Sequence, residues 1–286
     1  MAQHLISAAE LAGRLDEKEL CIFDVRHNLT DHGAGRREYD AGHIPGAQFL
    51  DHETELSGLK TGKNGRHPLP DIDVFAALMA QRGVRPGAPV VAYDASGGMF
   101  AAHLWWMLRW LGHTSVQVLD GGWQAWQAGG YPVSKDASAR GGADSQGGAA
   151  PQWPVSAASV VTAAEVLANI PKQAFTVIDA RAANRYRGEV EPMDPFAGHI
   201  PGALNRPNTE NLQADGRFKP ADVLAREFDA LLGGRAPGDI VHQCGSGITA
   251  CHNLLAMEVA GKSGSKLYAG SWSEWCANPL RPIAMG

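Results

Sequence analysis

Short apolar runs alternate with helical patterns along most of the chain, and the alternation occurs twice. The run at 21–26 (C-I-F-D-V-R) ends in Asp-x-Arg, and the run at 175–181 (F-T-V-I-D-A-R) does the same. Each is followed by a polar segment and then by the identical residues A-G-H-I-P-G-A, at 41–47 and at 197–203. The pattern predicts buried strands at equivalent positions of two repeats.

Later elements of the two repeats correspond as well. The strand predicted at 89–94 matches the one predicted at 239–244, and the helix predicted at 100–111 matches the one at 250–259. Apolar strands separated by helices are typical of a mostly parallel sheet. The sequence therefore predicts an α/β protein with two tandem domains, each a mostly parallel sheet with helices on both faces.

The repeats divide the chain into two domains and a linker. We predict a first domain at 1–134, a linker at 135–153 and a second domain at 154–286. The linker is rich in Gly, Ala and Ser and lacks an apolar period, which predicts a flexible connection. A long polar stretch at 56–70 lies inside the first domain. It is either a plain surface loop or a loop that reaches the site of the other domain.

Composition and charge exclude several classes of protein. The chain is 44% apolar and 19% charged, which is typical of a soluble globular protein. Its net charge of −5 argues against nucleic acid or an anionic membrane as a partner. No apolar stretch is long enough to span a bilayer, and the first residues show no signal pattern. We therefore expect a cytoplasmic protein.

The four cysteines, at 21, 244, 251 and 276, include no C-x-x-C pair. This spacing argues against a zinc site and against a disulfide framework, so we expect free thiols, no metal and no cofactor. Cys251 falls within a predicted helix and is expected to be a small core residue.

Cys244 is the strongest candidate nucleophile. It follows a predicted strand and begins the loop C-G-S-G-I-T, which leads into a helix. Unpaired backbone N–H groups and the helix dipole at such a place favour an anion, including the thiolate that makes cysteine reactive. Ligands of parallel sheets also bind beyond the carboxyl ends of the strands. The alternative is a buried structural cysteine beside a tight turn.

The first repeat provides an internal control. Asp94 stands at the position of Cys244 and has no sulfur nucleophile, so only the second domain is expected to be chemically competent. The first domain is still expected to form part of a cleft between the halves. Residues that both repeats share are expected to be structural: His43, His199, Asp24 and Asp179.

Together, these motifs resemble the two-domain rhodanese-like sulfurtransferases over essentially the whole chain. The resemblance rests on the paired A-G-H-I-P-G-A motifs, the Asp-x-Arg strand ends, a cysteine loop in the second repeat only, and G-S-W-S-E-W at 270–275. The loop C-G-S-G-[aliphatic]-T is similar to that of 3-mercaptopyruvate sulfurtransferases. Thiosulfate-preferring relatives generally carry a basic residue in this loop.

The resemblance implies an enzyme that carries sulfur on Cys244. The cysteine would take the sulfane sulfur of a small anionic donor, form a persulfide, and pass the sulfur to cyanide, a thiol or a protein acceptor. Loop amides would hold the negative charge, and Ser246 would relay a proton to the leaving enolate unless it is only a small polar spacer. The loop residues expected to form this cradle are Gly245, Gly247, Ile248 and Thr249.

The resemblance also implies residues that bind the donor. Arg185 matches an arginine that holds the donor's carboxylate or sulfonate, as a planar guanidinium is suited to do. Arg187 would face the same side if the segment were extended; the alternative is a solvated surface arginine. The family's second substrate arginine, found in an E-P-R context, is replaced by Met193, which leaves the donor preference open.

Two residues of the first domain match a possible relay. Glu53 stands where the family has an aspartate proposed to complete a relay with the loop serine. His67 matches a family histidine near that acid. Ordinary polar contacts between the domains are the alternative for both residues.

Other functions remain open at this level. A neutral loop that contains Ser246 favours mercaptopyruvate, because its enolate leaving group benefits from a proton, whereas thiosulfate needs positive charge. The alternatives are a thiosulfate:cyanide sulfurtransferase and a non-catalytic sulfur carrier. A rhodanese-like phosphatase would have a loop one residue longer that ends in arginine, whereas here Ala250 follows the loop.

Overall fold

The computed structural model describes residues 4–138, 153, 155 and 160–286. Most of the predicted linker therefore lies outside the described residues. Within the described residues the chain forms two sheets, and every pair of named strands in them is parallel. The predicted α/β architecture is confirmed.

The first sheet has five strands in the order β1-β5-β4-β2-β3. The strands are β1 (Leu5–Ile6), β2 (Cys21–Asp24), β3 (Ala47–Phe49), β4 (Val90–Tyr93) and β5 (Val116–Leu119). The helices of this domain are α1 (Ala8–Ala12), α2 (Ala34–Ala41), α3 (Ile72–Gln81), α4 (Met99–Trp110) and α5 (Gly122–Ala128).

The second sheet has four strands in the order β7-β6-β8-β9. The strands are β6 (Thr176–Asp179), β7 (Leu204–Asn205), β8 (Ile240–Gln243) and β9 (Lys266–Leu267). The helices are α6 (Ala163–Asn169), α7 (Ala183–Tyr186), α8 (Ala221–Leu232), α9 (Ile248–Val259) and α10 (Ser271–Trp275). Short 3₁₀ turns lie at Asn208–Asn211 and Pro237–Asp239.

Helices α4 and α9 join the two domains. They pack against each other, and their apolar side chains belong to one buried cluster that spans both halves. Each helix is apolar around most of its circumference, because it is covered by its own sheet on one side and by the other helix on the opposite side. Both begin directly after a left-handed glycine, Gly98 (φ 88°) and Gly247 (φ 91°). For this reason they start one or two residues before the predicted positions 100 and 250.

The shared Asp-x-Arg motifs hold equivalent corners of the two domains. Arg26 donates to both oxygens of Asp24, and Arg181 donates to both oxygens of Asp179. Each guanidinium also lies over a tryptophan ring, at 4.7 Å from the Trp123 centroid and 4.6 Å from the Trp272 centroid. The same contacts occur with and without a nearby cysteine, which fits the predicted structural role.

The histidines of the repeated motif are also used alike. His43 Nδ1 lies 2.8 Å from the carbonyl oxygen of Tyr39, and His199 Nδ1 lies 2.8 Å from that of Tyr186. Each imidazole stacks on the ring of the same tyrosine. Both histidines therefore fix a turn.

Among the described helices, none combines the length and apolarity that crossing a bilayer requires.

Candidate active site

Cys244 lies at the carboxyl end of β8, in the loop that leads to α9. Its sulfur accepts the backbone N–H of Gly247 at 3.2 Å, and the residue is 2% exposed. A Cβ atom on Gly247 would lie 2.5 Å from the carbonyl oxygen of Ala269. The positive φ and this close approach both require glycine at position 247. The loop thus curves so that a helix-terminal amide points at the sulfur, as the sequence predicts.

The start of α10 holds this loop in place. The backbone N–H of Cys244 donates to Ser271 Oγ at 3.1 Å, and the N–H of Trp272 donates to the Cys244 carbonyl oxygen at 2.9 Å. Ser271 is fully buried and has a positive φ of 53°, which is uncommon for a residue with a side chain. The sequence indicates only that 270–275 matters as a family motif, so the support that Ser271 gives the nucleophile was missed.

A pocket of about 160 Å³ lies beside Cys244, between the two domains. Its walls include predicted loop residues and residues of the first domain. The second domain contributes Ala180, Arg181, Ala182, Arg185, Met193, Asn208, Cys244, Gly245, Ser246, Ile248 and Thr249. The first domain contributes Leu29, Arg66, Met99 and Phe100. The expected cleft between the halves is present.

Ser246, His67 and Glu53 form a chain of hydrogen bonds from the pocket into the first domain. Ser246 Oγ lies 2.8 Å from His67 Nδ1, and His67 Nε2 lies 2.7 Å from Glu53 Oε1. Ser246 and His67 are 7% and 5% exposed, respectively, so water hardly competes for these bonds. The structure therefore brings together the three residues of the possible relay, in a connected order beside the nucleophile.

The protonation states of this chain follow from its surroundings. Burial raises the pKa of Glu53, but hydrogen bonds from Lys60 and His67 outweigh it and lower that pKa to about 2. Burial lowers the pKa of His67 to about 4, although Glu53 opposes the shift. At neutral pH Glu53 is thus ionised and His67 is neutral. A carboxylate only accepts, so the hydrogen-bond network assigns the imidazole proton to Nε2 and leaves Nδ1 to accept from the Ser246 hydroxyl.

Arg185, in α7, is predicted to bind the anionic group of the sulfur donor, and its side chain reaches the pocket. Its Nη2 donates to Glu191 Oε1 at 2.6 Å and lies 3.5 Å from Asp194 Oδ2. The side chain is 18% exposed and lines the pocket wall. Two carboxylates therefore fix the guanidinium in place and leave part of it facing the cleft.

Arg187 is not brought to the pocket. The segment is the helix α7 and its end, not an extended strand, so residues two positions apart point in different directions. Arg187 pairs with Glu189 at 2.7 Å on the surface, and its side chain is 45% exposed. The expectation that Arg187 would face the same side as Arg185 depended on an extended segment, and the segment is helical. The alternative, a solvated surface arginine, matches the position of Arg187.

Arg66 is a pocket residue that sequence reasoning missed. It stands directly before His67, in the polar loop of the first domain, and its guanidinium lines the pocket beside Gly245. The signal was present in two separate places: an arginine next to a family histidine, and a methionine where the family has an arginine. Only the fold shows that these positions face the same cavity.

The equivalent loop of the first domain already contains an anion of its own. The Asp94 carboxylate accepts backbone N–H groups at 2.7–2.9 Å from four residues: Ser96, Gly98, Phe100 and Ala101. Burial raises the pKa of Asp94, and these N–H groups oppose the shift. The first repeat thus shows that a strand–loop–helix of this type collects amides around one negative group.

Cys251 has the surroundings expected of a core residue. It is fully buried, and its S–H contacts the Gly247 carbonyl oxygen at 3.3 Å. Burial raises the pKa of the Cys251 thiol well above its usual range. Such a thiol is unreactive at neutral pH, so Cys251 does not compete with Cys244 as the candidate nucleophile.

One group of side chains among the described residues has the composition of a cation site. The ligand atoms of His27, His32 and Glu53 lie within 4.8 Å of one another. Glu53, however, already accepts from His67 and pairs with Lys60. We therefore interpret the two histidines as polar neighbours of the relay.

Comparison with known proteins identifies the family. A sequence profile described as the Rhodanese-like domain matches residues 7–129 and 162–278, which contain the first sheet apart from β1, the whole second sheet and the cysteine loop. The chain belongs to the rhodanese-like family. The loop after β8 is thus the cysteine loop of the second rhodanese-like domain. In the equivalent loop of the first domain, Asp94 stands at the position of Cys244.

Relatives match the rhodanese-like pair over its whole length. A probable 3-mercaptopyruvate sulfurtransferase of Pseudomonas aeruginosa is 46% identical over 284 residues, covering 99% of this chain and 98% of the relative. A putative thiosulfate sulfurtransferase of Mycobacterium tuberculosis is 38% identical and covers 99% and 98%. The crystal structure of the 3-mercaptopyruvate sulfurtransferase of Escherichia coli superposes with a TM-score of 0.77 at 34% identity, covering 94% of this chain and 99% of that one.

Proposed function

We propose that this protein is a sulfurtransferase that takes sulfur from 3-mercaptopyruvate and carries it on Cys244. The predicted enzyme class, a sulfurtransferase, is confirmed by relatives that match the chain from end to end. The name of the Pseudomonas aeruginosa relative supports mercaptopyruvate as the donor. The acceptor of the proposed reaction is cyanide, a thiol or a protein acceptor, and the proposed location is the cytoplasm.

The first half-reaction can be written with the residues at hand. The Cys244 thiolate attacks the donor's sulfur, a sulfur–sulfur bond forms between Cys244 Sγ and that sulfur, and the donor's carbon–sulfur bond breaks to leave the enolate of pyruvate. The donor's sulfur loses a proton and the enolate carbon gains one, so the net products are a cysteine persulfide anion and pyruvate. A group that moves one proton from sulfur to carbon is sufficient.

The contact between Ser246 and His67, beside Cys244, is the observation that carries this proposal. Because His67 is neutral and its Nδ1 accepts from the Ser246 hydroxyl, the pair can take up the thiol proton and return it to the enolate. Glu53 would steady the charged imidazole between these two transfers. Thiosulfate has no such proton to move, so this arrangement favours mercaptopyruvate.

The proposed domains, 1–134 and 154–286, divide this work between them. The second supplies the nucleophile, the amides of its loop and Arg185, and the first supplies His67 and Glu53. The loop amide of Gly247 that contacts the sulfur would also stabilise the persulfide anion.

Thiosulfate is the second candidate donor. The neutral loop alone argues against it, but the pocket also contains Arg66, which lies against the loop at Gly245 and supplies the positive charge that the sequence lacks there. The name of the Mycobacterium tuberculosis relative points the same way.

The two donors can be compared directly with cyanide as the common acceptor. We expect a higher kcat/KM for mercaptopyruvate. A tenfold preference for thiosulfate, about 1.4 kcal/mol of transition-state binding, would overturn the proposed donor. Cys244→Ser should abolish transfer from both donors, and Cys251→Ala serves as the matched control. Mass spectrometry after exposure to donor alone should find one added sulfur on the wild type and none on Cys244→Ser.

A further inference from the structure

One loop of the first domain is docked onto the second domain beside the nucleophile. The backbone N–H of Arg66 donates to Ser273 Oγ at 3.0 Å. Gly65 has a φ of 89°, and a Cβ atom there would lie 2.8 Å from the carbonyl oxygen of Gly270. Both contacts fix the backbone immediately before the Arg66 Cα. The direction in which its side chain leaves the loop is therefore set by the fold.

The Arg66 guanidinium points along the loop that carries Cys244. A Cβ atom on Gly245 would lie 2.8 Å from Arg66 Nη2 and 3.6 Å from Arg185 Nη1. The two guanidiniums, one from each domain, thus converge on the residue next to the nucleophile. Both side chains line the pocket and are partly exposed, at 25% for Arg66 and 18% for Arg185.

Not every N–H group of Arg66 has an acceptor among the described residues. Its Nη1 pairs with Asp194 Oδ1, but its Nε is buried and finds no acceptor among the described residues. A buried N–H group without an acceptor costs free energy, and a bound anion would remove that cost. The Nη2 group of the same guanidinium lies nearest to Gly245, where the carboxylate of the sulfur donor would lie close to the Cys244 sulfur.

Asp194 ties the two arginines together. One of its oxygens pairs with Arg66 and the other lies 3.5 Å from Arg185 Nη2. The carboxylate is 4% exposed and cannot be replaced easily by water. Asp194 therefore spaces two planar forks at a fixed separation, which is an arrangement suited to an oxyanion held between them.

The balance of charges around the pocket depends on Arg66. Three guanidiniums, those of Arg66, Arg181 and Arg185, are balanced by three carboxylates: Asp179, Glu191 and Asp194. Without Arg66 the group would carry a net negative charge, before the thiolate is counted. An anionic donor would then be repelled.

We infer that Arg66 and Arg185 together bind the carboxylate of the donor, and that Arg66 takes the place of the arginine that this chain lacks at Met193. The inference rests on the proposed function, since it concerns the donor of that reaction. Met193 lines the same pocket, so the cavity has a guanidinium from the first domain and a thioether where relatives of the better-known type have a guanidinium from the second.

Moving the positive charge from position 66 to position 193 tests the inference. Arg66→Met should raise KM for mercaptopyruvate about 10- to 100-fold, the range expected for loss of a charge-assisted pair of hydrogen bonds, with a smaller effect on kcat. Adding Met193→Arg to Arg66→Met should recover most of that loss. Lys63→Met removes the same charge from an exposed position of the same loop and is the matched control. The inhibition constant of pyruvate should rise in parallel with KM.

Each outcome has one meaning. A KM for Arg66→Met within about twofold of that of Lys63→Met overturns the inference, as does a double variant with no recovery. Wild-type protein that fails to use mercaptopyruvate would instead refute the proposed function. If Arg66→Met does not fold, Gly245→Ala gives a second route, because the new methyl group pushes Arg66 Nη2 aside and leaves the charge in place. It should raise KM, and an unchanged KM would count against the inference.

Discussion

Ser246 Oγ and His67 Nδ1 are 2.8 Å apart, although 179 positions separate the two residues in the sequence. The contact joins the catalytic loop of one domain to a polar loop of the other. It brings the neutral imidazole of His67, which also hydrogen-bonds the ionised Glu53, into contact with Ser246, a residue of the same loop as Cys244.

Removing the relay should affect the two donors differently. Ser246→Ala and His67→Gln should each lower kcat for mercaptopyruvate about 10²- to 10⁴-fold, the range for general acid–base catalysis, and should leave transfer from thiosulfate nearly unchanged. The double variant should cost no more than the worse single variant, because the residues act as a unit. Steady-state kinetics with both donors measure this. Equal losses for both donors would indicate a distorted loop instead of a lost relay.

Acid should switch the relay off only well below the pKa of free histidine. Burial lowers the pKa of His67 from 6.5 to about 4, so the imidazole stays neutral until the pH approaches 4. The acidic limb of kcat for mercaptopyruvate should therefore lie near pH 4. Because Glu53 raises the pKa of His67, Glu53→Gln should move the limb lower still. Proton NMR of the His67 ring gives the same pKa without turnover, and a titration near 6.5 would contradict the expectation.

Arg185 and Arg187 form a matched pair of the same residue type. Arg185→Met should raise KM for either donor by about tenfold or more, since it removes a pocket guanidinium fixed by Glu191. Arg187→Met should leave KM within about twofold, because Arg187 pairs with Glu189 at the surface, where such pairs contribute little. Kinetics of the two variants side by side decide the matter. A large effect of Arg187→Met would mean that α7 rearranges when the donor binds.

Ser271 should prove to be a positioning residue. Ser271→Ala leaves the buried N–H of Cys244 without its acceptor and should lower the free energy of unfolding by about 1–3 kcal/mol. The loop would also lose a restraint, so kcat should fall for both donors while KM changes little. Chemical denaturation and kinetics test the two effects. Ser273→Ala, which affects the neighbouring loop contact, should instead act through Arg66 and raise KM.

Asp94 should matter for stability and not for chemistry. Asp94→Ala leaves three buried N–H groups and a part-buried one without an acceptor and should lower the free energy of unfolding by more than about 3 kcal/mol. Asp94→Asn keeps one carbonyl acceptor, so its free energy of unfolding should lie between those of Asp94→Ala and the wild type. Where these variants remain folded, kcat should be close to that of the wild type. A specific loss of kcat in a folded Asp94→Asn protein would show that the first repeat takes part in the reaction.

The repeat makes the fold largely predictable from the sequence. Matching apolar runs in the two repeats locate β2, β4, β6 and β8 to within a residue or two at each end, because buried parallel strands are short and mostly apolar. Helix starts are missed by one or two residues because a left-handed glycine allows α4 and α9 to begin immediately after the loop.

The candidate site is predictable only where its residues are close in sequence. Cys244 and its loop amides follow from a local strand–loop–helix pattern. Arg66 and Ser271 act through contacts between segments far apart in the chain, and no local pattern reports those contacts. The orientation of Arg187 depended on the local backbone for a similar reason: a residue two positions later lies on the same face in a strand and on a different face in a helix.

The docked loop that carries Arg66 and His67 separates two parts of the proposed reaction. The residues proposed to select the donor lie on a loop of the first domain, whereas Cys244, the proposed sulfur carrier, lies in the second. Substitutions in that loop should therefore change which donor is accepted while Cys244 and its own loop stay the same.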